Sequence, residues 1–131
     1  MIDLIILIFQ FIFIVGFIGF WIYFFLVEAK NPEHTEVYLV FEKSFVLPDI
    51  GFATPSLVLS VIGLLTQQKY GYFFSVVAGS AILFLFLLDF SFNIQQGNYK
   101  KKEFILEIVI NIMCAVFGPI FMIYGWFNLA I

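Results

Sequence analysis

The sequence predicts an all-α integral membrane protein, a four-helix antiparallel bundle, and two observations support this prediction. First, 63% of the 131 residues are hydrophobic and only 11% are charged, with a mean hydropathy of +1.10. A soluble domain of this size cannot bury so much apolar surface, because small domains keep a large share of their residues outside. Second, the apolar residues form four runs near the length of about 20 residues that a helix needs to cross a bilayer.

The four runs predict helices over about residues 2–27, 48–65, 70–96 and 103–130, within a single transmembrane domain that spans residues 1–131. Lipid offers no hydrogen bonds to an exposed backbone, so spans of this length must be helical. The first run has no basic residues before it and is longer than the apolar core of a signal peptide. We therefore interpret it as a retained membrane helix.

Local signals mark the boundaries of these helices. Pro48-Asp49 suits a helix start, because proline tolerates the first turn and a carboxylate favours the positive end of the helix dipole. Residues 66–69 form a short polar hairpin, and Gly97 suits a helix end because glycine accepts left-handed backbone angles. The only long connection, residues 28–47, is predicted to lie as a loop outside the bilayer.

The lysines predict an orientation. Five of the six lie in the connections 28–47 and 97–102, which share one side of the membrane, and only Lys69 lies on the other side. Because positively charged loops stay in the cytoplasm, both connections are predicted to be cytoplasmic.

Polar side chains within the spans form a stripe on each of three helices, and polar residues in a membrane need a reason. Spacings of three and four residues place the members of a stripe on one helix face. The stripes contain Asp49 on the second helix, Asp89, Asn93 and Gln96 on the third, and Glu107 and Asn111 on the fourth.

The antiparallel topology brings these stripes to one side of the membrane, where Glu42 and Lys43 of the long connection join them. We therefore predict a ligand-binding pocket with an acidic character. Its expected residues are Glu42, Lys43, Asp49, Asp89, Asn93, Gln96, Glu107 and Asn111. Two other interpretations stay open: the carboxyl groups fix helix register, or they handle ions or protons.

Several classes of site are not supported. The net charge of −3 and the lack of a basic stripe exclude nucleic acid as a partner. With one histidine and one cysteine, zinc and bis-histidine haem sites are excluded, so we predict no metal and no cofactor. We interpret His34 as a solvated loop residue, Cys114 as a buried inert thiol and Trp21 as part of an interfacial aromatic belt.

A group of short motifs carries a resemblance. The motifs are Phe41-Glu42-Lys43-Ser44-Phe45, Pro48-Asp49, Leu88-Asp89-Phe90 and Asn93-Ile94-Gln95-Gln96-Gly97. Together they resemble small uncharacterised four-helix membrane proteins of prokaryotes, which implies a prokaryotic cell membrane but no activity. The architecture alone is similar to the EXPERA group of sterol isomerases and lipid binders, which keeps acidic residues in a pocket within one leaflet.

The preferred functional interpretation is a multi-pass membrane protein that binds a small amphiphile or lipid-like molecule in a polar, acidic pocket in one leaflet. Three alternatives stay open: a small oligomeric transporter or ion-coupled subunit, a structural or accessory membrane subunit, and a lipid-modifying, isomerase-like enzyme. The expected partners are membrane lipid, a small amphiphilic ligand and further copies of the chain. No catalytic residue is assigned.

Overall fold

The computed structural model describes residues 1–131, which are helical almost throughout and contain no strand. The α-helices are α1 (Ile2–Leu26), α2 (Glu36–Lys43), α3 (Val46–Pro48), α4 (Thr54–Leu65), α5 (Tyr70–Gln96) and α6 (Ile105–Ala130). Short 3₁₀ turns occupy Glu28–Lys30, Asn98–Lys100 and Lys102–Phe104. Four segments are long and apolar enough to cross a membrane: Ile2–Lys30, Glu36–Leu65, Tyr70–Gln96 and Lys102–Ala130. The predicted all-α, four-helix membrane bundle is confirmed.

The helices pack in a simple order around the bundle. α1 packs against α4, α4 against α5, and α5 against α6 in the most extensive interface. The first and last helices meet through aromatic side chains, with the ring centroids of Phe9 and Phe117 4.3 Å apart and those of Phe13 and Phe121 5.6 Å apart. α1 and α6 therefore touch through their side chains from the middle of the bundle towards the chain termini.

The second span begins earlier than the sequence predicted. Residues 36–47 were expected to be a loop, but they are helical apart from a turn at residues 44 and 45. Thr35 caps α2, because its side chain accepts a hydrogen bond of 3.1 Å from the backbone N–H of Tyr38. Pro48-Asp49, interpreted as a helix start, lies within this longer helical segment.

A π-helical turn, Asp49–Ala53, joins α3 to α4. Both the backbone N–H and the hydroxyl of Thr54 donate to the carbonyl of Asp49, the hydroxyl at 2.7 Å. Pro55 follows directly and has no N–H to continue the regular ladder. The helix nevertheless continues through this proline, directly after the wider π-helical turn.

The third span agrees with its predicted bounds, and α5 ends at Gly97, whose φ of +66° is left-handed. Towards the other end of α5, Gly79 brings α5 and α6 into backbone contact. A Cβ atom at Gly79 would lie 2.5 Å from the carbonyl oxygen of Gly118. Small residues permit such close approach between membrane helices.

A candidate acidic cavity

A cavity of about 220 Å³ lies between the helices, in the half of the bundle away from the chain termini. Thirteen of its 19 lining residues are hydrophobic. Its aromatic wall consists of Phe13, Phe17, Phe20, Trp21, Phe45 and Phe86. Its polar wall consists of Glu42, Asp49, Asp89, Glu107 and Asn111. The cavity therefore combines an apolar part with an acidic part.

Three carboxyl groups of the polar wall form a cluster. Glu42, Asp89 and Glu107 each place a carboxylate oxygen within 4.8 Å of the others. They come from α2, α5 and α6, so three separate helices build the cluster. Glu42 is only 3% exposed and Glu107 only 9% exposed. We call Glu42, Asp89 and Glu107 the carboxyl cluster.

Neighbouring side chains bond two members of the carboxyl cluster. The hydroxyl of Tyr38 donates to Oε2 of Glu107 at 3.2 Å, and the amide of Asn93 donates to Oδ1 of Asp89 at 3.1 Å. Oε1 of Glu42 is buried and has no hydrogen-bond partner. Such atoms are rare in folded proteins and costly to bury.

Asp49 lies on the same wall but has a separate environment. The indole N–H of Trp21 donates to its Oδ2 at 2.9 Å, joining α1 to the π-helical turn. Asp49 is not part of the carboxyl cluster. This bond holds α1 against the π-helical turn of the second membrane span.

The cavity has no basic side chain on its wall. The one close contact between a carboxyl group and a basic side chain joins Glu28 and His34, and it lies outside the cavity. Burial of a carboxylate without a cation or a hydrogen-bond donor is costly in a low-dielectric environment. The carboxyl groups of this wall are therefore stabilised by protonation, by a bound cation or by a ligand head group that donates hydrogen bonds.

An amide network ties the connection after α5 to this site. The amide of Asn98 donates to Oδ1 of Asn93 at 2.7 Å, and Asn111 donates to the hydroxyl of Tyr99. Burial, followed by the charges of Asp89 and Glu107, raises the pKa of Tyr99 to about 12. The phenol therefore stays neutral at physiological pH and serves as a fixed hydrogen-bonding group.

The cavity opens sideways. Three of its lining residues are exposed on the outer surface: Ile12 and Gly16 on α1, and Val109 on α6. The opening consequently lies between the first and last helices, where their backbones stay apart. In a bilayer this opening would face lipid.

The structure brings most of the predicted site residues together. Glu42, Asp49, Asp89, Glu107 and Asn111 line the cavity. Asn93 does not line the cavity, but its side chain bonds Asp89, which does.

Lys43 and Gln96 are exposed and are not on the wall. Lys43 follows Glu42 by one residue, which turns it about 100° around α2. Gln96 is the last residue of α5, beyond the depth of the cavity. Binding of a ligand by any of these residues stays a prediction.

Sequence reasoning placed Trp21 and His34 wrongly and did not single out Tyr38. Trp21 was assigned to an interfacial belt but is 4% exposed and bonds Asp49. The His34 side chain was expected to be solvated but is 3% exposed, with its ring stacked on that of Tyr38 at 4.5 Å. Tyr38 and Glu42 are four residues apart on one face of α2, a signal that depends on recognising this helix.

No family model matches the chain, and comparison with curated proteins and with solved structures finds no similar protein either. The class of protein is therefore defined by its own fold and cavity. It is an integral membrane protein of four apolar helices with carboxyl groups buried between them.

Proposed function

We propose that the protein binds a small amphiphile in the acidic cavity. The polar head would lie at the carboxyl-bearing wall, and the apolar part would lie against the phenylalanines. The observation that supports this proposal most is the two-part lining, with 13 hydrophobic residues and four carboxyl groups around one space. Ligand sites commonly combine a mainly apolar wall with a few convergent polar groups.

The size of the cavity limits the ligand. Pockets for drug-sized ligands usually measure about 300–1,000 Å³, so a cavity of about 220 Å³ suits a smaller molecule or part of a longer one. The lateral opening between α1 and α6 supports the second case, because an acyl or alkyl chain could extend through it into the bilayer. An amphiphile would then enter from lipid without crossing water.

A cavity-filling variant tests the proposal. Gly16 lines the opening, and a Cβ atom added there meets no atom within 4 Å, so Gly16→Leu adds volume without a backbone clash. Gly19→Leu is the matched control, because Gly19 has equally open space but does not line the cavity. We expect native mass spectrometry with lipid identification to find an amphiphile on the wild-type chain and on Gly19→Leu, and to find it lost from Gly16→Leu.

The proposal fails if the three proteins carry the same co-purified lipids, or if the wild type carries none and binds none of the membrane lipids added back. Loss from both glycine variants would also contradict it, because a general change of the surface of α1 would then explain the result.

The orientation is a second part of the proposal. We infer that residues 28–47 and 97–102 face the cytoplasm, because they hold five of the six lysines, and that the membrane is a prokaryotic cell membrane. In a Cys114→Ser background, a thiol reagent that cannot cross membranes should label Ile2→Cys in intact cells. It should label Lys101→Cys only after the cells are opened. The reverse pattern would invert the orientation and leave the fold unchanged.

A further inference from the structure

We propose that the carboxyl cluster of Glu42, Asp89 and Glu107 binds a hard divalent cation, of the class of Mg²⁺, Mn²⁺ and Ca²⁺. This inference is separate from amphiphile binding, because a cation would contact only the three carboxyl groups and would not need the apolar wall. It also departs from the sequence prediction of no metal.

The geometry of the cluster fits one ion. Oxygen ligands lie about 2.0–2.6 Å from these cations, so two oxygens on opposite sides of an ion are about 4–5 Å apart and adjacent ones are closer. The three oxygens of the cluster lie within 4.8 Å of one another. A single cation between them therefore lies at or close to ligand distance from all three oxygens.

The unpartnered oxygen of Glu42 is an independent indication. Glu42 is 3% exposed and lines the cavity, and its Oε1 accepts no hydrogen bond. The only other such side-chain atom, Oε1 of Gln10, belongs to a neutral amide that does not line the cavity. A cation supplies what Oε1 of Glu42 lacks, and neutralises charge at the same time.

The hydrogen bonds around the cluster suit a metal site. Tyr38 bonds Oε2 of Glu107, and Asn93 bonds Oδ1 of Asp89, so both carboxyl groups are oriented by a neighbouring donor. Partners of this kind fix the direction of metal ligands and are important for affinity. No basic side chain on the wall competes for the carboxylates.

The donor set decides the class of metal. All three ligands are carboxylate oxygens, which favour Mg²⁺, Mn²⁺ and Ca²⁺ over metals that prefer imidazole or thiolate. The prediction of no metal was based on the single histidine and the single cysteine. That argument still excludes zinc and haem sites, but it does not apply to a site made of carboxylates. Three carboxylates from three separate helices leave no spacing motif that a sequence can reveal.

Mn²⁺ is a direct probe of this site. The full chain, in nanodiscs of phosphatidylcholine, a lipid without net charge, is titrated with Mn²⁺, and free Mn²⁺ is measured by electron paramagnetic resonance. We expect one bound Mn²⁺ per chain, displaced by Mg²⁺ or Ca²⁺. Glu42→Gln should weaken binding by at least about tenfold, a loss typical of disturbed metal sites. Asp49→Asn is the matched control, since Asp49 lines the same cavity outside the cluster, and it should weaken binding clearly less than Glu42→Gln does.

A second measurement uses only the wild-type protein and so does not depend on the folding of a variant. Tb³⁺ replaces Ca²⁺ at oxygen sites and emits when a nearby aromatic ring is excited. Bound at the cluster it would lie beside Tyr38, whose hydroxyl is 3.2 Å from Oε2 of Glu107. We expect sensitised emission from the wild type that Mg²⁺ or Ca²⁺ removes.

The absence of both Mn²⁺ binding and Tb³⁺ emission in the wild type would overturn the proposal. Equal weakening by Glu42→Gln and Asp49→Asn would overturn it as well, because the ion would then respond to the overall charge of the cavity. Gly16→Leu changes the opening and leaves the cluster intact, so it should keep Mn²⁺ binding. The amphiphile proposal and the cation proposal can therefore fail separately.

Discussion

The two halves of the bundle differ in how closely their helices approach. In the half near the termini, Gly79 and Gly118 bring the backbones of α5 and α6 so close that no side chain fits between them. In the other half, a cavity with carboxyl groups and phenylalanines on its wall separates the helices, and Gly16 has open space beside it. Small residues permit contact between backbones, and bulky or charged ones prevent it.

The polar groups of the two halves also differ in their partners. In the closely packed half, the amide of Gln10 donates to Ser75 at 3.1 Å, and Ser75 donates to the carbonyl of Phe121 at 2.9 Å, which joins three helices. In the cavity half, Oε1 of Glu42 stays without a partner and no basic side chain lies on the wall. Both halves use polar groups to join helices, but the cavity half also keeps a buried carboxyl oxygen without a partner.

The largest expected effect is on the glycine contact. Gly79→Ile places a branched side chain against the backbone of α6, and we expect a loss of at least about 3 kcal/mol in the free energy of unfolding, the upper range for overpacking. Gly16→Ile should change it by no more than about 0.5 kcal/mol, as surface substitutions usually do. Unfolding by sodium dodecyl sulfate in mixed micelles measures both. Similar losses in the two variants would remove the contrast between the halves.

The bond between Trp21 and Asp49 is expected to have the next largest effect. Trp21→Phe removes the donor and leaves a buried carboxyl group without its partner, which should cost about 1–3 kcal/mol. Trp126→Phe is the control, because Trp126 is 62% exposed and its loss should have little effect. Thermal unfolding in detergent, followed by circular dichroism, measures the difference. Equal stability of the two variants would show that Asp49 does not need this donor.

Ser75 tests the polar contact of the closely packed half. Ser75→Ala breaks the link between Gln10 and the carbonyl of Phe121, and we expect a loss of about 1 kcal/mol, near the usual value for such bonds in membranes. Ser80→Ala removes only a bond within α5, to the carbonyl of Val76, and should be nearly neutral. The same thermal measurement applies. A larger loss in Ser80→Ala would contradict the assignment of Ser75 as a link between helices.

The smallest expected effect concerns Glu42 and has the opposite sign. With a chelator present, Glu42→Gln replaces a buried carboxyl group that has an unpartnered oxygen with a neutral amide, and stability should rise by up to about 1 kcal/mol. With Mn²⁺ present, the free energy of unfolding of the wild type should rise to at least that of Glu42→Gln, because a ligand that binds the folded state stabilises it. A variant less stable than the wild type in the chelator would indicate that Glu42 is held by bonds within the protein.

The sequence by itself determined the number and type of the spans. Runs of apolar residues long enough to cross a bilayer can only be helices in lipid, so composition and length were sufficient. The end of α5 at Gly97 was equally predictable, because a left-handed residue is needed there and glycine accepts it. The start of the second span could not be predicted in this way. Pro48-Asp49 has the features of a helix start, but in the structure α2 comes before it and the helical segment begins earlier.

Only the tertiary structure decided which polar residues meet. Helical spacing placed Asp89 and Asn93 on one face, and their bond confirms that local pattern. The pairing of Trp21 with Asp49, and of Tyr38 with Glu107, depends on how separate helices are rotated and how deep they sit. A spacing rule describes neighbours within one helix. The carboxyl cluster and its cavity arise between helices, where packing of side chains sets every distance.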